Sequence, residues 1–339
     1  MSSQRQPINI LLIEDTMSDA ELVCAWLEEA TTENFHISHV PDIETSVDLL
    51  AKRKFDIVML DLSLPDATDL EGLAHVQNMA PTVPVIILTG RADEKLALAA
   101  VEEGAQDYLV KDEVDNVALQ RSIRYAIQRK RFEDRMIHQA NFDRLTDLAN
   151  GMLFESRLNL ALARKERSGK GIALFYLDLN GFKQINDRFG HAMGDSILKE
   201  IGRRIPLCIR PYDTAARLGG DEFAILVEGM SEIGDCARVA QKLIDRMTQP
   251  IVFDAQEVRV GVSIGIATCI GKEKCTAERL QASADKAMYR VKSDNSASHY
   301  LFYTEDMDET WGNAVHLPRG IDESDAAVEL YPASVAGNF

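Results

Sequence analysis

Long hydrophobic runs are missing from this sequence of 339 residues. No apolar stretch approaches the roughly 18 residues that a membrane-spanning helix requires. The first apolar stretch, Ile8 to Ile13, is also too short for the hydrophobic region of a signal peptide, and the residues before it, MSSQRQP, are polar. We therefore expect a cytoplasmic protein that makes no contact with a membrane.

Cysteine is scarce and positive charge is in deficit. None of the five cysteines forms a CxxC pair, so we expect reduced and mostly buried thiols rather than a metal or redox site. The cysteines are Cys24, Cys208, Cys236, Cys269 and Cys275.

With 37 lysines and arginines against 54 aspartates and glutamates, the formal net charge is −17, which argues against broad binding of nucleic acid through its phosphates. Anions can still bind where a few basic groups and Mg²⁺ converge.

The composition is typical of a soluble globular protein, at 46% hydrophobic and 27% charged residues, and the length is sufficient for two domains. The first 115 residues alternate short apolar runs with amphipathic stretches. The predicted strands are Ile8–Ile13, Ile37–Val40, Ile57–Leu60, Val85–Leu88 and Tyr108–Val110. The predicted helices include Ala20–Glu29, Ile43–Ala51 and Glu94–Glu102. This pattern predicts a doubly wound, flavodoxin-like α/β domain with a five-stranded parallel sheet in residues 1–125.

A helical pattern without a breaker runs from about Asn116 to Gln139. It predicts a helix that leaves the first domain and forms a stalk over residues 126–142. The apolar positions of this helix are Leu119, Ile123, Ala126 and Ile127. The heptad pattern fails at Lys130, so the sequence leaves open whether two such helices pair as a coiled coil.

Residues 143–304 carry the pattern of a second α/β domain. The predicted strands are Ile172–Leu177, Ala215–Arg217, Phe223–Val227, Val258–Ile266 and Tyr300–Tyr303, with helices between them. After Thr304 the chain holds eight acidic residues and one arginine with little periodicity. Residues 305–339 are therefore predicted to form a disordered acidic tail.

Five residues of suitable types stand at the ends of predicted strands of the first domain. Glu14 and Asp15 come after the first strand, Asp61 after the third, Thr89 ends the fourth and Lys111 follows the fifth. In an open α/β sheet, ligands bind at this carboxyl edge. Crowded carboxylates raise one another's pKa unless a cation neutralises them, and Mg²⁺ prefers oxygen ligands. The sequence therefore predicts a site for Mg²⁺ and a phosphoryl group.

The most specific stretch of the sequence is RLGGDEFAIL at residues 217–226. It is typical of a β-hairpin with a glycine turn, and its tip carries Asp221 and Glu222. Asp178 follows another apolar strand; if the two strands are neighbours, Asp178 and Asp221 meet at one edge and share Mg²⁺. Residues 180–195 are predicted to form a turn-rich segment between that strand and a helix.

Residues 8–125 resemble the receiver domains of response regulators. The matching motifs are Glu14-Asp15, Asp61-x-x-Leu64-Pro65, Thr89-Gly90 and Lys111. The resemblance implies that Asp61 accepts a phosphoryl group from a histidine kinase, and that one Mg²⁺ lies on Glu14 or Asp15 together with Asp61. The implied ligands of the phosphoryl oxygens are Lys111 and Thr89.

Two further positions bear on the same resemblance. Tyr108 fits the aromatic residue whose rotamer reports the phosphorylated state. Asp69 departs from the glycine that the family usually has, although aspartate tolerates left-handed backbone angles better than most residues.

Residues 143–303 resemble the catalytic domain of diguanylate cyclases, which is named for the GGDEF sequence found here at 219–223. The other matching motifs are DRLTDLAN at 143–150, FKxINDxxGHxxGD at 182–195, VSIG at 262–265 and ADKAMY at 284–289. The resemblance implies an α/β domain with a mostly antiparallel sheet like that of nucleotidyl cyclases, which condenses two GTP into cyclic di-GMP and two pyrophosphates.

The resemblance also implies a role for individual residues. The implied metal ligands, for one or two Mg²⁺, are Asp178, the Leu179 carbonyl and Asp221. Glu222 is either a further metal ligand or a base for the ribose 3′-hydroxyl. The implied guanine-reading residues are Asn186 and Asp195. The implied triphosphate contacts are Lys183 and Lys292.

Each catalytic domain is expected to hold one GTP, so the resemblance implies a homodimer whose geometry or population the receiver changes on phosphorylation. Arg210 and Asp213 form an RxxD motif before the hairpin. In the family this motif is the inhibitory site for the product, and arginine and aspartate suit guanine and phosphate recognition.

Two positions depart from the family pattern. Gly151 stands where relatives often have arginine, and Ser296 replaces an arginine expected on the phosphates. The missing arginine at Ser296 supports an alternative, a non-catalytic, receiver-controlled module that binds GTP or cyclic di-GMP. A third possibility is a related cyclase that makes a cyclic mononucleotide.

Overall fold

The computed structural model describes residues 7–29, 33–67, 70–90, 94–253, 256–271, 274–293 and 299–307, and a short strand at Leu330–Tyr331. The chain divides into two compact units, Met1–His138 and Gln139–Phe339. Within the described ranges, no helix is both long enough and apolar enough to span a membrane.

The first unit is a doubly wound α/β domain, which confirms the predicted fold class. Its elements in chain order are β1 (Ile8–Ile13), α1 (Met17–Glu28), β2 (Phe35–Val40), α2 (Ile43–Lys52), β3 (Ile57–Asp61), α3 (Glu71–Met79), β4 (Val85–Thr89), α4 (Glu94–Glu102), β5 (Asp107–Val110) and α5 (Asn116–Asn141). The strands are parallel and lie in the order β2-β1-β3-β4-β5. The strand order reverses at β1 and β3, so their carboxyl ends border the crevice where ligands bind in such sheets.

Alternation of side chains along the strands explains why both faces of this sheet are covered. In β1, Leu11 and Ile13 pack with α2, α3 and α4, whereas Ile10 and Leu12 pack with α1 and α5. Every residue of β3 and β4 is buried. The sequence did not predict α3, because this helix buries too few side chains to show a clear period.

Helix α5 is one continuous helix of 26 residues. The apolar stripe that the sequence left open for a coiled coil is instead buried in the core of the first unit, beside α1. Two polar contacts also connect α5 to the first residue of β5 and to the residue before it. Ser122 Oγ donates to Asp107 Oδ2 at 2.5 Å, and Gln106 Nε2 donates to Glu133 Oε2 at 3.1 Å.

The second unit is also an α/β domain, and its mixed, mostly antiparallel sheet confirms the prediction. Its elements in chain order are α6 (Gly151–Ser168), β6 (Gly171–Asn180), α7 (Phe182–Phe189), α8 (His191–Arg204), β7 (Thr214–Gly219), β8 (Glu222–Met230), α9 (Ile233–Met247), β9 (Ile251–Phe253), β10 (Gln256–Val258), β11 (Gly261–Cys269), α10 (Ala277–Ser293), β12 (Tyr300–Phe302) and β13 (Leu330–Tyr331). The main sheet has the order β12-β11-β6-β8-β7, and a small sheet has the order β13-β10-β9. Helices α7, α8 and α9 cover one face of the main sheet, and α6 and α10 cover the other.

Two local predictions in this unit were wrong. The run Val258–Ile266 is not one strand: it ends β10 in the small sheet and then begins β11 in the main sheet. Its apolar residues are buried on both sides of the break, so hydrophobicity alone does not reveal the change of sheet. Residues 180–195 are mostly helical, because Gly190, with φ of 82°, allows α7 to end and α8 to begin without a longer loop.

The expectation that all cysteines are reduced was also wrong, because Cys269 and Cys275 form a disulfide. Cys269 ends β11, and the chain then reverses through Gly271 toward α10, which brings the two Cα atoms to 6.3 Å. Cys208 and Cys236 are buried free thiols, and Cys24 is a half-buried one.

Part of the acidic tail lies within the described residues. Met307 is buried, and Leu330–Tyr331 pairs with β10. Residues 308–329 and 332–339 lie outside the described residues, so disorder there stays a prediction.

An ion pair connects the loop at residues 142–150 to the β7–β8 hairpin. Arg217 Nη1 lies 3.0 Å from Asp143 Oδ1, and the Arg217 Nε and Nη2 groups donate to the Gly220 carbonyl at 3.0 and 2.7 Å. Thr146 donates to the same Asp143 oxygen from both its backbone N–H and its hydroxyl, at 2.9 and 2.7 Å. Burial opposes the ionisation of Asp143, but these hydrogen bonds outweigh it and lower its pKa. The turn that precedes Asp221 is therefore held from outside the hairpin.

Reducing the Cys269–Cys275 disulfide is expected to lower the free energy of unfolding of the second unit by about 2 kcal/mol, because its closed loop is short. Urea denaturation with and without dithiothreitol measures this difference. The double variant Cys269→Ala/Cys275→Ala should show the same stability in both conditions. Equal stability of the unsubstituted protein in both conditions would contradict the expectation.

Replacing Asp143 by asparagine is expected to loosen the hairpin turn, because Arg217 loses its charged partner. We expect hydrogen exchange of the 218–223 segment to accelerate about tenfold, which corresponds to about 1.4 kcal/mol of local stability. Mass spectrometry of deuterated peptides measures the rate, and Asp143→Glu, which keeps the charge, should show a smaller change. Unchanged exchange in Asp143→Asn would show that the ion pair does not hold the turn.

Candidate functional site

The carboxyl edge of the first sheet brings three carboxylates together. One oxygen each from Glu14, Asp15 and Asp61 lies within 4.8 Å of the others. Glu14 and Asp61 are buried, whereas Asp15 is exposed. Burial, together with the charge of Asp61, raises the pKa of Glu14 to about 7, although Lys111 opposes this shift. Clustered carboxylate oxygens of this kind fit the ligand preference of Mg²⁺.

Lys111 crosses this edge and pairs with several acidic groups at once. Its Nζ lies 2.8 Å from Glu14 Oε2, 2.9 Å from Asp61 Oδ2 and 2.8 Å from Asp19 Oδ2. Burial alone would lower the pKa of Lys111, but the hydrogen bonds to these carboxylates outweigh it and raise the pKa. The sequence did not point to Asp19, because it lies in the first turn of α1 rather than at the end of a strand.

The remaining predicted residues of this pocket lie close by in the fold. Thr89 is fully buried at the end of β4, and its hydroxyl donates to the Gly90 carbonyl at 3.1 Å. Tyr108 is half-buried on β5, which pairs with β4. A cavity of about 380 Å³ opens beside Asp61 and Lys111, with Trp26 in its wall. Asp69 lies outside the described residues.

In the second unit, strand pairing places Asp178 between an acidic residue on one neighbouring strand and a polar residue on the other. Asp178 on β6 lies opposite Glu222 on β8 and opposite Ser263 on β11. Its Oδ1 atom is buried and has no hydrogen-bond partner among the described residues. Burial raises the pKa of Asp178 to about 6. Such an oxygen fits a cation ligand, because a buried acceptor without a partner is costly.

Lys292, near the end of α10, supplies the positive charge beside this carboxylate. Its Nζ lies 2.6 Å from Asp178 Oδ2. Asp178, which the sequence assigned to metal, and Lys292, which it assigned to triphosphate, therefore contact one another. The sequence did not predict this contact.

The other implied metal ligands lie at the tip of the hairpin and on the neighbouring strand. Asp221 is half-buried and Glu222 is exposed. The side chain of Leu179 packs into the core, so its backbone carbonyl is the group that the resemblance implies as a metal ligand. Among the described residues, only the Glu14 cluster brings three candidate metal ligands within 4.8 Å, so Asp178, Asp221 and Glu222 are not that close together.

The residues implied in guanine recognition lie on consecutive helices. Asn186 is on α7, and its Oδ1 is buried without a hydrogen-bond partner among the described residues. A Cβ atom at Gly194 would clash with that oxygen, so the glycine leaves room for the Asn186 side chain in this position. Asp195 follows on α8 and is exposed, as is Lys183 on the first turn of α7.

The two residues of the RxxD motif have different environments. Asp213 accepts hydrogen bonds from the backbone N–H groups of Arg210 at 2.9 Å and Glu228 at 3.2 Å, which closes the turn before β7. Burial raises the pKa of Asp213, although these bonds oppose it. Arg210 is exposed and donates to the Tyr212 hydroxyl at 2.6 Å.

A basic cavity of about 750 Å³ lies in the same region. Its polar lining includes Arg164, Lys165, Arg167, Lys170, Tyr212 and Glu228. Sequence reasoning missed this cluster, although the RKERSGK run at 164–170 contained the signal. Ser296 lies outside the described residues.

Two family models match the chain. Residues 10–124 match the response regulator receiver domain, and residues 140–298 match the diguanylate cyclase GGDEF domain. These ranges include Asp61 and the carboxylates around it in the first unit, and Asp178 with its strand neighbours Glu222 and Ser263 in the second.

Individual relatives show the same two parts. The bifunctional diguanylate cyclase/cyclic di-GMP phosphodiesterase MucR of Pseudomonas aeruginosa is 42% identical over 172 residues, which are 51% of this chain and 25% of that protein. The response regulator PleD of Caulobacter vibrioides is 26% identical over 299 residues, which are 84% of this chain and 63% of that protein. The chain thus spans less than two thirds of the length of either curated relative.

A solved structure of the GGDEF domain of TpbB from Pseudomonas aeruginosa is 36% identical and matches with a TM-score of 0.48, covering 51% of this chain and 99% of that domain. On the two family matches, in the predicted order along one polypeptide, the chain carries a response regulator receiver domain followed by a GGDEF domain.

Proposed function

We propose that this protein is a diguanylate cyclase that condenses two GTP into cyclic di-GMP and two pyrophosphates under the control of phosphorylation at Asp61. The observation that carries the proposal is the buried Asp178 carboxylate, placed opposite Glu222 of the GGDEF hairpin and beside Lys292. A module that only binds a nucleotide has no need to keep such a carboxylate buried.

The chemistry is an in-line displacement. The 3′-oxygen of each GTP attacks the α-phosphorus of the other. At each phosphorus the bond to the bridging oxygen breaks and pyrophosphate leaves with the electron pair, so two phosphodiester bonds form and two pyrophosphates are released. Asp178, the Leu179 carbonyl and Asp221 would hold Mg²⁺, which when bound would neutralise charge on the phosphates and lower the pKa of the 3′-hydroxyl. Glu222 either completes the metal site or accepts the 3′-proton.

The remaining site residues bind and orient GTP. Asn186 and Asp195 read the guanine, since a carboxylate accepts from its N1–H and amino groups. Lys183 and Lys292 bind the triphosphate. Lys292 lies 2.6 Å from Asp178, so its ammonium group is placed beside the carboxylate that would hold the cation.

Asp61 is the residue through which the receiver would control this reaction. Glu14, Asp15 and Asp61 would hold one Mg²⁺, and Thr89 and Lys111 would hold the phosphoryl oxygens. The phosphoryl donor would be a histidine kinase, and Tyr108 would report the phosphorylated state.

Product inhibition would involve Arg210 and the basic cavity next to it. Arg210 is exposed, and the cavity collects several basic side chains within a protein of strongly negative net charge. Both features suit a ligand with two phosphates and two guanines. Asp213 is already engaged with the backbone, so its contribution would be to hold Arg210 in place.

The main experiment incubates the purified full chain with GTP and Mg²⁺, with and without beryllofluoride as a phosphoryl mimic. We expect a product with the mass of cyclic di-GMP, and at least about 100-fold less of it from Asp178→Asn. Added cyclic di-GMP should inhibit the unsubstituted protein more strongly than Arg210→Ala.

Other products would identify the alternatives. A cyclic mononucleotide would indicate the related cyclase. Bound GTP or cyclic di-GMP without any product would support the non-catalytic module, which Ser296 favours because the expected arginine is missing there. Circular dichroism of Asp178→Asn establishes that its loss of activity is not unfolding.

Two GTP-loaded domains must meet, and the outer face of α5 suits this pairing. Tyr125, Phe132 and Met136 are exposed by 60%, 57% and 51%. With Arg129 they follow the alternating spacing of four and three residues that forms a coiled-coil seam. This seam differs from the buried stripe of the same helix.

The double variant Phe132→Glu/Met136→Glu is expected to weaken the homodimer about 100-fold, because two apolar side chains can no longer be buried. Sedimentation velocity measures association, and turnover should fall at protein concentrations where the variant is monomeric. Met152→Glu, a change at an exposed methionine outside α5, serves as the control. If the variant stays dimeric and keeps full turnover, the proposal that two α5 helices pair through this seam is refuted.

A further inference from the structure

The ammonium group of Lys111 lies against three carboxylates. Its Nζ donates hydrogen bonds to Asp19 and Asp61 at 2.8 and 2.9 Å, and it forms an ion pair with Glu14 at 2.8 Å. A phosphoryl oxygen on Asp61 must therefore compete with these carboxylates for the charge and the N–H groups of Lys111.

The three carboxylates differ in how easily they can be released. The side chains of Glu14 and Asp61 are 0% and 4% exposed, whereas that of Asp19 is 37% exposed. A buried acceptor that loses its donor has no water to replace it, but an exposed carboxylate is hydrated at once. Release of Asp19 therefore costs the least free energy.

The position of Asp19 in the fold also allows its release. It lies in the first turn of α1, where its backbone N–H donates to the Thr16 carbonyl at 3.0 Å. The backbone therefore stays in place while the side chain turns. The cavity beside Asp61 is lined by Asp19 itself, so water reaches the released carboxylate.

We propose that Asp19 is the displaceable partner of Lys111 and limits the occupancy of the phosphorylated state. When a phosphoryl group is present on Asp61, one of its oxygens takes the hydrogen bond that Asp19 accepts in this structure, and Asp19 turns to water. No covalent bond changes in this exchange. The inference rests on the proposed phosphorylation of Asp61 and makes Asp19 a positioning residue that acts through Lys111.

Charge at this edge also favours the release of Asp19. A phosphoryl group brings additional negative charge to an edge that already holds Glu14, Asp15 and Asp61. Asp19 adds a further negative charge within reach of the same lysine. Removing the charge of Asp19 is therefore expected to favour the anion-bound state.

The experiment titrates the full chain with beryllofluoride at saturating Mg²⁺. Trp26 lines the cavity and reports binding by fluorescence, while Trp311, the other of the two tryptophans, is replaced by phenylalanine in every protein. Asp19→Asn should bind beryllofluoride about fivefold more tightly, the effect of one partly exposed ion pair. Asp19→Glu, which keeps the carboxylate, should stay within about twofold of the parent.

Glu21→Gln is the matched control, because it removes the same charge from the exposed surface of the same helix without contacting Lys111 in this structure. It should leave the affinity unchanged. Thermal unfolding of all variants establishes that they are folded, and ¹⁹F NMR of bound beryllofluoride measures occupancy independently of fluorescence.

The outcomes separate the two proposals. If the parent protein binds no beryllofluoride by either measurement, the proposed phosphorylation fails, and the role of Asp19 fails with it. If the parent binds and Asp19→Asn binds equally or more weakly, the phosphorylation proposal stands and the displacement of Asp19 is refuted. An equal gain in Glu21→Gln would show a general charge effect and would also refute it.

Discussion

A carboxylate buried at the edge of a sheet needs a positive charge beside it, because an isolated buried charge costs more free energy than packing returns. Both units meet this constraint with a lysine from a distant part of the chain. Lys111 follows β5 and pairs with Glu14 and Asp61, while Lys292 lies in the last turn of α10 and pairs with Asp178. Each lysine therefore connects another element to the carboxylates at the end of a strand. Under the proposed function, a cation or phosphate at these carboxylates would change the partner of the lysine and so affect that element directly.

The hairpin with Asp221 depends on a second set of contacts that begins where α5 ends. The N–H group of Asn150 donates to the carbonyl of Asn141, the last residue of α5, and Arg217 joins Asp143 of the same loop to the Gly220 carbonyl. The turn before Asp221 is thus connected to the end of α5 by a few polar contacts. These contacts do not involve the side chains of Asp178, Asp221 or Glu222, so the connection can change without altering those carboxylates.

The sequence predicted most of the first unit because its strands are short apolar runs that end in acidic or polar residues. It predicted Asp178 and the hairpin from motifs, but not the contact of Lys292 with Asp178, since the partner of a long side chain depends on tertiary structure. The same reason explains why Asp19 was missed. The Cys269–Cys275 pair depends on a chain reversal that no CxxC spacing indicates. The sequence did not reveal α7 and α8, because glycines interrupt the helical pattern there. In the structure Gly190 lies at the junction of the two helices, and Gly194 leaves room for the Asn186 side chain.

Helix α5 is at once a core element of the first unit and an uninterrupted lead into the loop at residues 142–150. A helix of this kind fixes a phase as well as a distance. Adding or removing one residue between Ile127 and Asn141 would shift the later residues of the helix by about 1.5 Å and rotate them by about 100° relative to its buried stripe. Only length changes near a whole number of turns would restore the original phase along the helix. The linker should therefore tolerate substitutions on its exposed surface far better than insertions or deletions of one or two residues.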